Sequence, residues 1–329
     1  MERTLGEGSV AGLKKTEGKE SQIFFSEPLL FFDKDGKRVS LDYKMYQGFG
    51  LVLPTDAGGT ACMPENTYLM EHDEEAYRLE IKIDEERIRE QAVWAGIKPG
   101  MRVADLGCGP GAITALLHGM AQPGGSAVGL DGSAERLEYA RRKFGGMGIE
   151  YRRADLNQLL DEPEHFDFIW VRFVLEYSLA GAFAMVRNFA RALKPGGTLC
   201  LIDLDHNPLN YYGCSDRLDR TFKKIMRELE ERFDFDPFVG RKLYSFLYDL
   251  GFQDIDVRVE NHRVVFGGIQ EIEVFNMMKK IEVVPKRMNF VFDEYPGGHD
   301  EFYREAEAFF SDPRRFAYTP LILCRGVKT

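Results

Sequence analysis

Between Val103 and Gly111 the chain reads V-A-D-L-G-C-G-P-G, and no other stretch limits the fold as much. An apolar strand carries an acid near its end, three glycines turn the chain, and an apolar helix follows from Ala112 to His118. Glycine is needed there because a ligand must approach the backbone, and because the turn passes through conformations costly for other residues. The helix directs its unpaired N–H groups back toward that ligand. A strand–turn–helix of this kind holds a nucleoside-like cofactor at the carboxyl end of a parallel sheet.

The spacing narrows the cofactor. Gly107, Gly109 and Gly111 form G-x-G-x-G with Asp105 two residues upstream, and the G-x-G-x-x-G of a dinucleotide site is absent. An acid so close would oppose a pyrophosphate but suits a zwitterionic amino-acid end. Asp131 closes the next apolar strand, Ala127 to Leu130, at roughly the 20-residue offset where an acid takes ribose hydroxyls. Together these residues resemble motif I and its partner acid in class I S-adenosylmethionine-dependent methyltransferases.

The rest of the pattern fits an α/β fold. Strands at Met101–Asp105, Ala127–Leu130, Ile149–Arg153, Phe166–Val171 and Thr198–Asp203 alternate with helices, one capped by Ser133 with Leu137, Ala140 and Phe144 on a face, another through Phe183, Val186, Phe189 and Leu193. Strict alternation means a parallel sheet with right-handed crossovers. Upstream, a helical stretch from Tyr68 to Ala95 carries Leu79, Ile83, Ile88, Ala92 and Ala95 on one stripe. Downstream come a long amphipathic helix (Leu218, Phe222, Ile225, Leu229, Phe233), a helix from Arg241 to Leu250, a sixth strand at Asp254–Val259 and a last strand at Leu321–Arg325. The sequence Gly240 to Phe252 and an antiparallel last strand also resemble small-molecule methyltransferases. The expected architecture is a Rossmann-like, seven-stranded, mostly parallel sheet with an antiparallel last strand, an N-terminal β-hairpin and a helical lid insertion. Its divisions are a disordered tail (1–22), a hairpin extension (23–66, turning at Asp33–Lys37) and a methyltransferase domain (67–329), with the insertion at 266–315 carrying helices at Glu271–Lys280 and Glu301–Phe310.

The resemblance implies roles for particular residues. The backbone of Gly107, Cys108, Gly109 and Gly111 lines the methionine part, and Asp105 attracts its ammonium. Asp131 takes the ribose, Asp155 accepts from the adenine amino group, and Gly132, Ala154 and Leu156 surround the ring. Arg172 stands where the family's backbone meets the cofactor near its sulfur. Tyr68 and Arg78 correspond to an aromatic and a basic residue that approach the methyl group and carboxylate.

Methyl transfer is an in-line displacement from an already activated sulfonium, so alignment and water exclusion matter most. A base is needed only where the nucleophile carries a proton that must leave. His206, in I-D-L-D-H-N-P after the fifth strand, is one candidate or an ordinary loop histidine; Glu176 and Tyr177, one turn past the fourth strand, either face the cleft or merely begin a helix. Asp203, Asp205, His206 and Asn207 resemble a magnesium cluster, but Arg172 would repel a cation, so no metal is expected. The N/D-P-P-Y/F signature of amino-group methylation on nucleobases and glutamine is missing; V-R-F-V-L-E-Y stands in its place.

Composition bears on partners. A net charge of −10 over 329 residues disfavours nucleic acid, which requires a basic surface. Five scattered cysteines without a C-x-x-C pair suit a reducing cytoplasm. No apolar run spans a membrane, and Met1 to Lys19 is unlike a signal peptide. The expected partner is a small-molecule acceptor, planar or lipophilic given aromatics such as Tyr43, Tyr46, Phe49, Tyr211, Tyr212, Phe235 and Phe238; a homo-oligomer is left open. Three rivals stand beside methyl transfer: a non-catalytic S-adenosylmethionine-binding scaffold or regulatory protein, an enzyme using another part of the cofactor, and a nicotinamide dehydrogenase.

Overall fold

The central strands are almost wholly apolar, the composition of strands covered on both faces. The computed structural model describes residues 31–32, 38–39, 83–160, 163–206, 210–268 and 271–329. Two units divide the chain, Met1–Met63 and Pro64–Thr329. In the first, β1 (Phe31–Phe32) pairs antiparallel with β2 (Arg38–Val39); the rest of the 23–66 extension and the 1–22 tail lie outside the described residues.

In the second unit β3 (Arg102–Leu106), β4 (Ser126–Asp131), β5 (Glu150–Arg153), β6 (Phe166–Arg172) and β7 (Leu193–Leu204) form the parallel sheet, ordered β5-β4-β3-β6-β7. The chain runs outward from β3 through β4 and β5, then returns to the other side of β3 as β6. That reversal opens a crevice at the carboxyl ends of β3 and β6. β10 (Phe316–Val327) is antiparallel to β7, and β9 (Gln253–Phe266) is antiparallel to β10 on its outer side.

An eighth strand, β8 (Asn210–Tyr212), was not anticipated; it pairs with Phe316–Tyr318 of β10. Since β7 pairs with Leu321–Val327 of the same strand, β7 and β8 lie end to end along β10, and the sheet stays seven strands wide.

Alternation assigns the two faces. Ala104, Leu106, Val171, Leu199 and Leu201 pack under α4 (Ala182–Ala192) and α6 (Leu243–Asp249). Val103, Phe168, Trp170, Cys200 and Ile202 pack on the other side under α1 (Glu85–Ala95) and α2 (Ala112–Met120). α3 (Ala134–Phe144) begins as expected at Ser133, whose hydroxyl accepts from the Arg136 amide at 3.3 Å. A third core joins α5 (Asp216–Phe233) to α7 (Glu271–Arg287) and α8 (Gly298–Ser311) through Leu218, Phe222, Ile225, Met278, Phe302 and Phe309.

Three expectations need correction. The helical stretch does not run unbroken into Ala95: the Asp84 carboxylate accepts from the Arg87 amide at 3.1 Å and starts α1, so Ile83 precedes the helix. Phe183 is not in the buried stripe of α4; it is 37% exposed and pairs with Phe246 at the surface. β9 and β10 are also far longer than the segments expected for them, 14 and 12 residues.

Candidate functional site

The glycine turn after β3 is held by its neighbour strand. The amides of Gly107 and Cys108 both donate to the Leu130 carbonyl, at 2.8 and 3.0 Å, and Gly109 donates to Asp131 Oδ2 at 2.9 Å. Gly107, Gly109 and Gly111 have φ of 79°, 52° and 85°, the left-handed region open mainly to glycine. At Gly111 a Cβ would lie 2.7 Å from Ala140 Cβ and 2.8 Å from Tyr151 Cε1. The glycines therefore let the turn pack against the protein. Cys108 points inward with Ala115, Leu137, Ala140 and Tyr151, and burial pushes its thiol well up. α2 begins at Gly111 with no side-chain cap among the described residues, so its first amides have no intrahelical partner.

The two motif acids differ in setting. Asp105 is 3% exposed and accepts from Thr114 Oγ1 at 2.6 Å. Burial pushes its carboxyl up to about 7; the Thr114 bond and Arg172 pull it down, and Asp131 adds to the rise. Asp131 Oδ1 accepts from the Ser133 amide at 2.8 Å and from Arg136 Nη2 at 3.0 Å, whereas among the described residues Oδ2 has the Gly109 amide alone at 2.9 Å. One lone pair of Oδ2 thus remains for a hydroxyl.

After β5, Ala154 donates from its amide to the Asp131 carbonyl at 3.0 Å, which brings this loop beside β4. Gly132 is exposed there, with only the Ala154 carbonyl within 4 Å of an added Cβ. Asp155 is exposed and folds into a turn, accepting from the Asn157 amide at 3.0 Å. Leu156 packs against the core below.

Across β3, Arg172 ends β6 with its guanidinium over the Phe173 ring at 4.0 Å. Its Nε is buried without a hydrogen-bond partner among the described residues, and burial first, then Arg87, lower its pKa to about 10. Glu176 and Tyr177 fall in a short turn at Leu175–Tyr177. Glu176 is 4% exposed and Tyr177 is 40% exposed. The loop 234–238 brings the three candidate bases to one place. The Asp236 amide donates to the Glu176 carbonyl at 2.7 Å, Phe235 lies 5.8 Å from the Tyr177 ring, and Phe238 lies 5.3 Å from His206. His206 Nδ1 is buried without a partner among the described residues.

The cluster that resembled a magnesium site is otherwise engaged. Asp203 accepts from the amides of Leu175, Glu176 and Leu204 at 3.0, 3.3 and 2.9 Å, and burial and then Glu176 push its carboxyl well up. Asp205 pairs with Arg241 at 2.7 and 3.0 Å. Asn207, Tyr68 and Arg78 lie outside the described residues.

One residue passed over in the sequence belongs to this neighbourhood. His262 of β9 sits 5.1 Å from the Phe173 ring. A histidine between Asn261 and Arg263 in a valine-bearing stretch is the only trace it leaves in the sequence.

The residues present fit a sulfonium nucleoside. Among the described residues the buried acid Asp105 has no ion pair, the start of α2 has no side-chain cap, and a carboxylate at the end of the next strand keeps a lone pair.

Part of the chain is similar to known methyltransferases. Residues 103–197 match a family model described as a methyltransferase domain. A ubiquinone biosynthesis O-methyltransferase of Chelativorans sp. (strain BNC1) is 38% identical over 102 residues, covering 30% of this chain and 39% of that protein. One from Hahella chejuensis is 32% identical over 136 residues, covering 40% and 56%. The chain thus spans about half the length of these curated relatives. A ubiquinone/menaquinone biosynthesis C-methyltransferase of Shewanella woodyi is 26% identical over 208 residues, 60% of this chain and 77% of that protein. A solved structure from Bacillus halodurans C-125, described as a methyltransferase, shares the fold with TM-score 0.50 and 18% identity, over 74% of this chain and 99% of that one.

Proposed function

We propose that this chain, which carries a class I S-adenosylmethionine-dependent methyltransferase domain, transfers a methyl group to a small-molecule acceptor. The observation that carries the proposal is the pair Asp105 and Asp131, set on adjacent parallel strands on either side of a left-handed glycine turn. Asp105 would hold the cofactor's ammonium, Gly107 and Gly109 its methionine backbone, Asp131 its ribose, and Gly132, Ala154, Asp155 and Leu156 its adenine. Tyr68 and Arg78 remain candidates for the methionine end. When bound, the sulfonium supplies an electrophilic methyl carbon with a neutral thioether as leaving group.

The protein's share is alignment and dryness. Arg172, Glu176, Tyr177 and His206 stand on the acceptor side of the glycine turn. A net charge of −10 supports a small acceptor over nucleic acid. No helix among the described residues is long and apolar enough to cross a membrane; a cytoplasmic setting is part of the proposal, and self-association is left open.

Two measurements test it. Titration calorimetry should give saturable heat with S-adenosylhomocysteine, and label from S-adenosylmethionine carrying a tritiated methyl should pass into a metabolite extract. No heat on folded protein would reject the reading; heat without transfer would favour the scaffold. Asp131→Asn keeps the shape and removes the charge, and should weaken S-adenosylhomocysteine binding by roughly 1–3 kcal/mol. Unchanged affinity would displace the ribose from this acid.

A further inference from the structure

On the acceptor side of the glycine turn, α1, β6 and β9 bring a second group of polar side chains together. In the β9–β10 pairing Thr319 opposes Arg263 and Pro320 opposes Asn261, so His262 is the extra residue of a β-bulge. Bulges re-aim side chains and recur beside active sites. This one turns the imidazole onto Phe173, 5.1 Å away. The following residue, Val174, abuts the turn itself, its Cγ2 lying 2.3 Å from where a Cβ on Gly107 would stand. His262 is therefore linked to the cofactor turn through Phe173 and Val174.

Arg172 shares the same ring. Its guanidinium covers Phe173 at 4.0 Å, and its Nε is buried with no hydrogen-bond partner among the described residues. The nearby acids are already engaged. Glu260 accepts from Arg87 at 2.8 Å and from Gln91 at 2.8 Å, Asp203 accepts from three amides, and Asp105 accepts from Thr114. A guanidinium whose Nε donor is buried and unfilled is costly unless an anionic ligand completes it.

We propose that His262 accepts the proton of an acceptor hydroxyl and that Arg172 pairs with the oxyanion so formed, which makes the acceptor an oxygen acid of the phenol or enol class. The inference rests on the methyltransferase reading above. In the step, the O–H bond breaks and its electron pair stays on oxygen. The proton goes to the lone pair of a ring nitrogen and later leaves to water. The oxygen, now anionic, is the nucleophile toward the methyl carbon.

The surrounding charges favour this division of labour. Burial, then Arg172 from β6, Arg263 from β9, Lys280 from α7 and Arg87 from α1 hold His262 well below the usual histidine value. It is neutral at pH 7 and free to accept a proton. An anionic acceptor offsets those cations and raises its basicity in the complex. An ammonium acceptor would face the same cations without offsetting them.

4-Nitrophenol, whose phenolate is coloured, tests the proposal on the full chain at a pH about one unit below its own pKa. Arg172 should lower the bound phenol's pKa by about a unit or more, so colour should appear. In the wild-type protein the proton stays on His262, and calorimetry in two buffers of different ionisation heat should show almost none released. His262→Gln should release about one proton per phenolate. Arg172→Gln should lose the colour, and Arg172→Lys, which keeps the charge, should recover it and so exclude a folding defect. A colourless wild-type mixture, or equal proton release from wild type and His262→Gln, would overturn the proposal. Failure to bind S-adenosylhomocysteine would instead strike the methyltransferase reading and leave the phenol result legible.

Discussion

Gly107→Ala should lower the unfolding free energy by about 2–5 kcal/mol and reduce S-adenosylhomocysteine affinity more than tenfold. Two costs add. At φ 79° a residue with a Cβ loses roughly 1–2 kcal/mol. The new carbon would also lie 2.3 Å from Val174 Cγ2, and overpacking of this kind costs about 1–3 kcal/mol. The turn cannot yield easily, because its amides are fixed on the Leu130 carbonyl and Asp131. Relief would therefore have to come from Val174, which follows Arg172 and Phe173 and so would disturb the acceptor side too. Urea unfolding gives the first quantity and calorimetry the second. A variant as stable as wild type would mean that the valine rotates away without consequence.

Asp105→Asn should make the ligand-free protein more stable at and above pH 7 while weakening its cofactor affinity. The Asp105 carboxyl titrates near 3.8 when unfolded and is raised to about 7 in the fold. Between these values the folded state holds the proton that the unfolded state has lost, so stability falls as pH rises. Below the lower value the carboxyl is neutral in both states and the penalty vanishes. Above the upper value the penalty is complete, about 4 kcal/mol from a shift of about three units. Subtracting the variant's urea-derived stability profile from wild type should isolate a difference that opens between about pH 4 and 7. A cofactor ammonium beside Asp105 favours its ionised form, so wild-type binding near pH 7 should release about half a proton and the variant none. Parallel profiles for the two proteins would remove Asp105 from this role.

The half of the site proposed to hold the nucleoside was legible in the sequence because its determinants are local. Gly107, Gly109, Gly111, Asp105 and Asp131 lie within one strand–turn–helix–strand unit, and a continuous apolar run marks each strand. The half proposed to meet the acceptor depends on pairing between distant segments. His262 is aimed by a bulge that exists only in the register of β9 against β10. Glu176, Tyr177 and His206 meet through the loop 234–238, and nothing in their spacing reveals that loop as the link. β9 itself was underestimated because its residues are mostly exposed, with Val257 and Val259 at 40% and 69%, so no burial alternation marks its length. Asp84 ends a stripe that otherwise looks continuous, since one capping carboxylate outweighs the apolar periodicity around it.

The third core has a consequence for anyone trimming this protein. α5 precedes β9, yet its apolar stripe closes on helices that follow it, and Arg217 of α5 bonds Glu301 and Glu305 of α8. Excising 267–315 to obtain a minimal catalyst would strip Leu218, Phe222, Ile225 and Leu229 of their cover while leaving them attached to the sheet. The portable unit is the whole span from Ser215 onward, so these helices can be exchanged between relatives only as a matched set that includes α5.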